Sequence, residues 1–222
     1  MPELIPEEIN HFAPVVDGNV LPEAPATLIA KHQFNPVDIM VGFNADEGMM
    51  AFLLMASDEK PSINRTVFEG MLPMYKVKPF EGHPLQRASV DLVYFTDQMF
   101  SDPDNADYVD AFSQMYGDYL FGCSSIEYMR AASEADFGNR YLYHFTHEPS
   151  VSIFNLTWTG SCHGDELIFF GAPWLPQAEP YKLTPEEVTL TEKMIGYWTN
   201  FAKTGYVIIG QIGNCLRKLL QH

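Results

Sequence analysis

The sequence predicts an α/β protein, and three stretches carry that expectation. Residues 37–43 (VDIMVGF) form a compact β-branched and apolar run bounded by Pro36 and Asn44, the pattern of a buried strand. Residues 140–146 (RYLYHFT) alternate aromatic side chains and read as a second strand. Between them, apolar residues recur at Tyr108, Phe112, Met115 and Tyr119, at steps of four, three and four, which is helical spacing.

Taken in order, residues 12–28 read as extended structure with turns, with Asp17-Gly18 as a turn signal and Pro22 and Pro25 blocking a helix. A short helix is expected over 26–31. After the first strand, residues 44–48 (NADEG) form the loop at its carboxyl end, where open α/β sheets gather ligands and catalytic groups. Glu47 is a candidate catalytic acid there. Asp46 and Glu47 also suit the first turn of a helix starting near Met49, and both readings stand. Residues 57–89 mix proline, glycine and charge and read as surface helices and loops, with His83 in a loop without a role. One helix is expected over 90–100, closed by SDPDNAD. That break lacks the oxygen ligand due at the fifth position and the glycine at the sixth of a calcium loop. A further helix carries Cys123, Ile126 and Met129. Thr184-Pro185-Glu186-Glu187 is a helix start, with a capping threonine, proline at the first helical position and a glutamate completing the capping box. That helix should reach Lys203 and stop before Gly205, burying Met194, Ile195, Trp198 and Phe201.

Composition narrows the function. A chain of 222 residues with 46% apolar and 14% aromatic content is long enough for one domain with a real core, and it holds no internal repeat. The formal net charge is −16, from 29 acidic and 13 basic residues, so no basic face can form and neither nucleic acid nor anionic membrane is an expected partner. An acidic surface serves solubility; it also fits the steering of a cationic ligand. No run of about 18 apolar residues exists, so no membrane span is expected. The N-terminal MPELIPEEIN has no apolar signal-peptide core. Cys123, Cys162 and Cys215 cannot all pair internally. Asn64-Arg65-Thr66 and Asn155-Leu156-Thr157 are glycosylation sequons, making Asn64 and Asn155 candidate acceptors and favouring a secretory ancestry. Sequons without a leader raise the expectation of an incomplete chain.

The chemistry concentrates in residues 159–171 (TGSCHGDELIFFG). His163 sits among small residues in a glycine-flanked loop, suited to a proton shuttle near neutral pH. Glu47 is its best upstream partner. His144 and His147 form an H-x-x-H pair on a strand end with opposed directions, a poor start for a zinc site even with Cys162 or His163. Cys162 adjoins His163, but adjacent side chains on one loop rarely face each other as nucleophile and base do. Phe169 and Phe170 suit either a pocket wall or the core.

The segments FAPVVDGNVLPEAP, VGFNADEG, DYLFGC, YLYHFTHEP, HGDELIFFG and YWTNFAKTG, in this order, resemble the C-terminal part of the type-B carboxylesterase and cholinesterase family, which also includes neuroligins and the cholinesterase-like domain of thyroglobulin. The resemblance covers residues 12–205, and 206–222 read as an unrelated tail. It implies the C-terminal half of an α/β-hydrolase fold: an incomplete, mostly parallel sheet with packed helices. It also implies ester hydrolysis by a Ser–Glu–His triad, with the acid on Glu47 and the base on His163, 116 residues apart. No cofactor or metal is implied. The sequence contains no G-x-S-x-G nucleophile elbow, which the family places upstream together with the oxyanion-hole glycines. Ser161 is too close to His163 to replace it, and Ser124 and Ser125 fall on a helix. In enzymes with the disulfide at this place, the cysteine matching Cys123 pairs within a segment past FAKTG that is different here. The expectation is a partial serine carboxylesterase, inactive alone, which acts on an ester only with the N-terminal half present. A secreted parent is expected, and oligomeric state is open. The alternative is a non-catalytic adhesion or binding module of neuroligin type.

Overall fold

The computed structural model describes residues 14–55, 58–74, 84–134, 137–171 and 183–208. Its sheet is parallel: β1 (Ile39–Asn44) pairs with β2 (Arg140–Phe145), in register from Ile39 opposite Arg140 to Asn44 opposite Phe145. Parallel neighbours need a crossover, and here the helical region between the strands supplies it.

Alternation along β2 sorts the two faces of the sheet. Leu142 and its neighbour Val41 face α6 (Cys123–Glu134), packing with Ile39, Met129 and Ala132. Tyr141, Tyr143 and Phe145 face the other way. The first two meet Phe201 and Trp198 of α7 (Pro185–Thr204) at 5.9 and 5.0 Å, edge to face. Phe145 joins Ile168, Phe169 and Met194 in a second core. The strand start differs from expectation: Val37 is 53% exposed, and β1 is fully buried only at its ends, Ile39 and Asn44. Two helices cover the faces of this pair, but among the described residues no third strand covers its edges.

The largest core lies in the helical region. A 3-10 helix (Glu47–Met55), α2 (Arg65–Met74), α4 (Asp97–Ser101) and α5 (Val109–Gly117) converge on Phe52, Phe68, Tyr108 and Phe112. Phe112 meets Phe52 and Phe68 edge to face at 5.7 and 5.8 Å. The segment 57–89 is therefore not mere surface, because α2 drives Phe68, Met71 and Leu72 into this core. The helix expected over 90–100 is broken. After α3 (Pro84–Tyr94) the chain turns at Phe95 and Thr96, burying Phe95 against Phe68 and Tyr108, and restarts as α4. Between α5 and α6 a π-helical turn (Asp118–Gly122) keeps one continuous helix. A π turn adds a residue and shifts the phase of the stripe, so Tyr119, expected inward, is 36% exposed.

The short helix α1 (Pro25–Ala30) begins on Pro25 itself, whose fixed φ suits the first helical position. In α7 the capping box forms as expected: Thr184 Oγ1 accepts from the Glu187 N–H at 3.2 Å and the Glu187 carboxylate accepts from the Thr184 N–H at 2.8 Å. Gly205 closes the helix at φ 74°, where a Cβ would also overlap the Asp38 carboxylate. Ile195 departs from expectation at 39% exposure, while Met194 is buried. No helix among the described residues is long and apolar enough to cross a membrane. His83, Cys215, residues 172–176 and most of the tail lie outside the described residues.

Candidate active site

Two loops meet at the carboxyl ends of the strands. The first leaves β1 at Asn44 and enters the 3-10 helix at Glu47. Glu47 opens the 3-10 helix and also reaches the histidine loop. One carboxylate oxygen accepts from the Asn44 N–H at 2.7 Å, and the other lies 2.6 Å from His163 Nδ1. The backbone here is clamped by α5. A Cβ on Gly48 would overlap the Ser113 carbonyl, and one on Gly117 would sit 3.0 Å from the Gly48 nitrogen. Only glycines allow this approach, and it fixes where the Glu47 side chain starts.

The second loop carries His163 between Gly160 (φ 61°) and Gly164 (φ 85°). The two residues before His163 are tied to the acid loop. Asp46 Oδ2 accepts from the Ser161 N–H at 2.8 Å, and the Asp46 N–H donates to the Ser161 carbonyl at 3.0 Å. Asn44 Nδ2 donates to the Cys162 carbonyl at 2.7 Å and to Glu166 Oε2 at 2.5 Å. From below, Asp165 Oδ2 accepts from the Cys162 N–H at 3.0 Å. Phe121, on the π turn, stacks on the imidazole with centroids 4.7 Å apart and planes 26° from parallel.

The electrostatics follow. Glu47 is 7% exposed at its side chain, whereas His163 is 45% exposed. An ionised carboxylate only accepts, so Nδ1 carries the proton and Nε2 is the basic nitrogen of the neutral ring. Among the described residues nothing hydrogen-bonds Nε2. The bond to Glu47 raises the His163 pKa above its ordinary 6.5, against burial, with the charges of Glu47 and Glu166 adding to the rise. This arrangement can hold one tautomer, accept a proton at Nε2 and stabilise the resulting imidazolium.

The other candidates have different places. Ser161 is buried and its hydroxyl donates to the Phe145 carbonyl at 3.1 Å. Ser124 donates to the Leu120 and Phe121 carbonyls. Burial, then the Asp165 charge, pushes the Cys162 thiol up to about 12, so it is no thiolate at neutral pH. His144 lies against Phe43 at 4.9 Å and His147 lies 3.3 Å from the Glu187 carboxylate, so their partners differ. Among the described residues no three His, Cys, Asp or Glu side chains gather to hold a metal. Phe169 is core, and Phe170 packs on Trp198 at 4.9 Å. Asn64 is exposed and its side-chain oxygen accepts from the Val67 N–H at 3.0 Å; Asn155 is exposed in a turn at φ 55°. Cys123 is exposed on α6. A cavity of about 240 Å³ opens at the carboxyl end of β1, lined by Phe43, Asn44, Gln114, Asp118 and His144 among others. Asn44, Asp46, Phe121 and Asp165 do not stand out in the sequence as site residues; three of them lie inside the NADEG and HGDE motifs, and that is the available signal.

The sequence profile of the Carboxylesterase family matches residues 3–207. Mouse cholinesterase is 31% identical over 202 residues, covering 88% of this chain and 32% of that protein. Mouse neuroligin-3 is 30% identical over 207 residues, covering 87% of this chain and 24% of that protein. Acetylcholinesterase 1 of Caenorhabditis elegans is 30% identical over 205 residues, covering 87% and 32%. The chain thus spans a third or less of the length of these curated relatives. It belongs to the carboxylesterase family, and that membership implies the α/β-hydrolase fold.

Proposed function

We propose that this chain carries the acid–base part of a serine carboxylic-ester hydrolase, with Glu47 as the triad acid and His163 as the general base. The observation that carries it is the 2.6 Å contact between Glu47 and His163 Nδ1, with the Nε2 side of a half-exposed ring turned from the acid. Glu47 holds the tautomer. His163 takes the proton of a nucleophilic hydroxyl and returns one to the leaving alcohol. The nucleophile and oxyanion donors come from sequence beyond this chain, since no G-x-S-x-G occurs within it. In this reading residues 12–205 are the C-terminal portion of a type-B carboxylesterase domain and 206–222 a separate tail. A secreted parent glycosylated at Asn64 or Asn155 fits the sequons. Alone, the chain hydrolyses no ester at a rate above that of free imidazole.

The test is hydrolysis of a p-nitrophenyl ester by a longer reading frame that contains this chain and an upstream G-x-S-x-G. His163→Ala should lower kcat by about 10⁶ and Glu47→Gln by about 10⁴. Unchanged activity in His163→Ala refutes the assignment. The similarity to neuroligin-3 supports a second reading, a binding module in which the pair is structural. A longer protein with the elbow present that hydrolyses nothing and captures a protein ligand would favour it.

A further inference from the structure

We propose that Asp165 is a positioning residue for His163, acting through the backbone of Cys162; this rests on the reading of Glu47 and His163 as an acid–base pair. Asp165 is fully buried. Oδ1 accepts from the Ser152 hydroxyl at 2.9 Å and the Ile153 N–H at 2.8 Å, and Oδ2 accepts from the Cys162 N–H at 3.0 Å. The Asp165 N–H returns a bond to the Cys162 carbonyl at 3.1 Å, the same carbonyl that Asn44 holds from the acid loop. The residue before His163 is thus gripped on its N–H by Asp165 and on its C=O by Asn44. The turn at Gly164 lets a side chain two residues past His163 reach back beneath it.

A carboxylate is required here for a geometric reason. Three donors converge on its two oxygens, so both oxygens must accept. An amide would turn its NH₂ toward either Cys162 or the Ser152–Ile153 pair, leaving donor against donor. No Lys, Arg or His forms an ion pair with Asp165 among the described residues, and burial raises its carboxyl to about 6 despite the three donors. The charge that acts on it is that of Glu166, the next residue, and the Cys162 thiol in turn faces Asp165 together with Glu47 and Asp46. An uncompensated buried acid is an expensive staple. Its use becomes intelligible if it holds the base loop in the one position where Nδ1 meets Glu47.

The experiment is NMR of the His163 ring in the full 222-residue chain, following its titration and its Nδ1–H resonance. Asp165→Asn should lower the His163 midpoint toward 6.5 and move the Nδ1 proton upfield. Ser152→Ala, which leaves the Cys162 bond intact, should weaken the fold without moving either signal. A folded Asp165→Asn protein with the wild-type midpoint and proton shift overturns the proposal, as does an equal change in Ser152→Ala. If Asp165→Asn does not fold, the wild type decides. The Cys162 amide and the His163 ring should share an inflection as the Asp165 carboxyl ionises, besides the ring's own titration, and the ring's own inflection alone in both signals overturns it. Glu47→Gln separates the two claims. If Glu47→Gln leaves the midpoint at its wild-type value, the acid–base reading falls. If it lowers the midpoint while Asp165→Asn does not, only the role of Asp165 falls.

Discussion

Glu187 offers the sharpest test of how this fold is fastened. Its side chain is 2% exposed, yet it lies at the start of a surface helix. Burial alone would raise its pKa. Instead the Ser150 hydroxyl and N–H, each at 2.6 Å, the Thr184 N–H at 2.8 Å and His147 at 3.3 Å bring it down to about 2, from an ordinary 4.5. At roughly 1.4 kcal/mol per pH unit, that gap corresponds to about 3 kcal/mol of stability. The folded pKa lies below the unfolded one, so the stabilisation is present above 4.5 and is lost as pH falls toward 2. A glutamine side chain in its place would keep one acceptor and set its NH₂ against the remaining donors. Urea unfolding followed by tryptophan fluorescence should show Glu187→Gln less stable by about 3 kcal/mol at pH 7. Roughly half or more of that difference should be gone by pH 3. An equal difference at both pH values would refute the account, because the defect would then lie in packing and not in the charge.

Three further outcomes follow from the site. Glu47→Gln should return the His163 pKa toward 6.5, and since a raised histidine pKa stabilises the fold below 6.5 and not above its folded value, the variant should lose more stability at pH 5 than at pH 9, read by urea unfolding at each. Gly160→Ala should destabilise the chain by about 1–3 kcal/mol in thermal unfolding, because φ is 61° and the methyl group would overlap the Asp46 carboxylate. Phe121→Ala should cost about 0.5–1.5 kcal/mol and broaden the His163 ring signals, since the stacked face is lost.

The two strands and the capping box of α7 were legible in sequence because each is encoded locally, whereas the match of acid loop to histidine loop, 116 residues apart, was legible through the family's motifs. A β-branched run, a Thr-Pro-Glu-Glu start and a glycine-flanked histidine state their own geometry. What was not legible depends on contacts between distant segments. The break at Phe95 follows from the pull of Phe68 and Tyr108 on one ring. The outward turn of Tyr119 follows from a π turn that no spacing rule announces. Asp165 and Asn44 read as ordinary polar residues within their motifs, and their roles exist only once residues 44, 152 and 162 are neighbours. Ile195 sits one position from the buried Met194, and the angular width of the covered face depends on how α7 lies over β2.

The length of Glu47 matters as much as its charge, and a last substitution separates the two. Its two oxygens reach opposite targets, the Asn44 N–H at 2.7 Å and His163 Nδ1 at 2.6 Å. Aspartate keeps the charge but withdraws the carboxylate by one C–C bond, about 1.5 Å. A bond of 2.6 Å stretched by that much passes the limit of a hydrogen bond. The main chain cannot advance to compensate, because Gly48 already lies against the Ser113 carbonyl and Gly117 against Gly48. Glu47→Asp should therefore lower the His163 pKa in the same direction as Glu47→Gln, though the carboxylate is still present, and NMR titration of the ring measures it. A wild-type midpoint in Glu47→Asp would mean that the acid loop follows the shortened side chain. The glycine clamp between the 3-10 helix and α5 would then not be what sets the distance from acid to base.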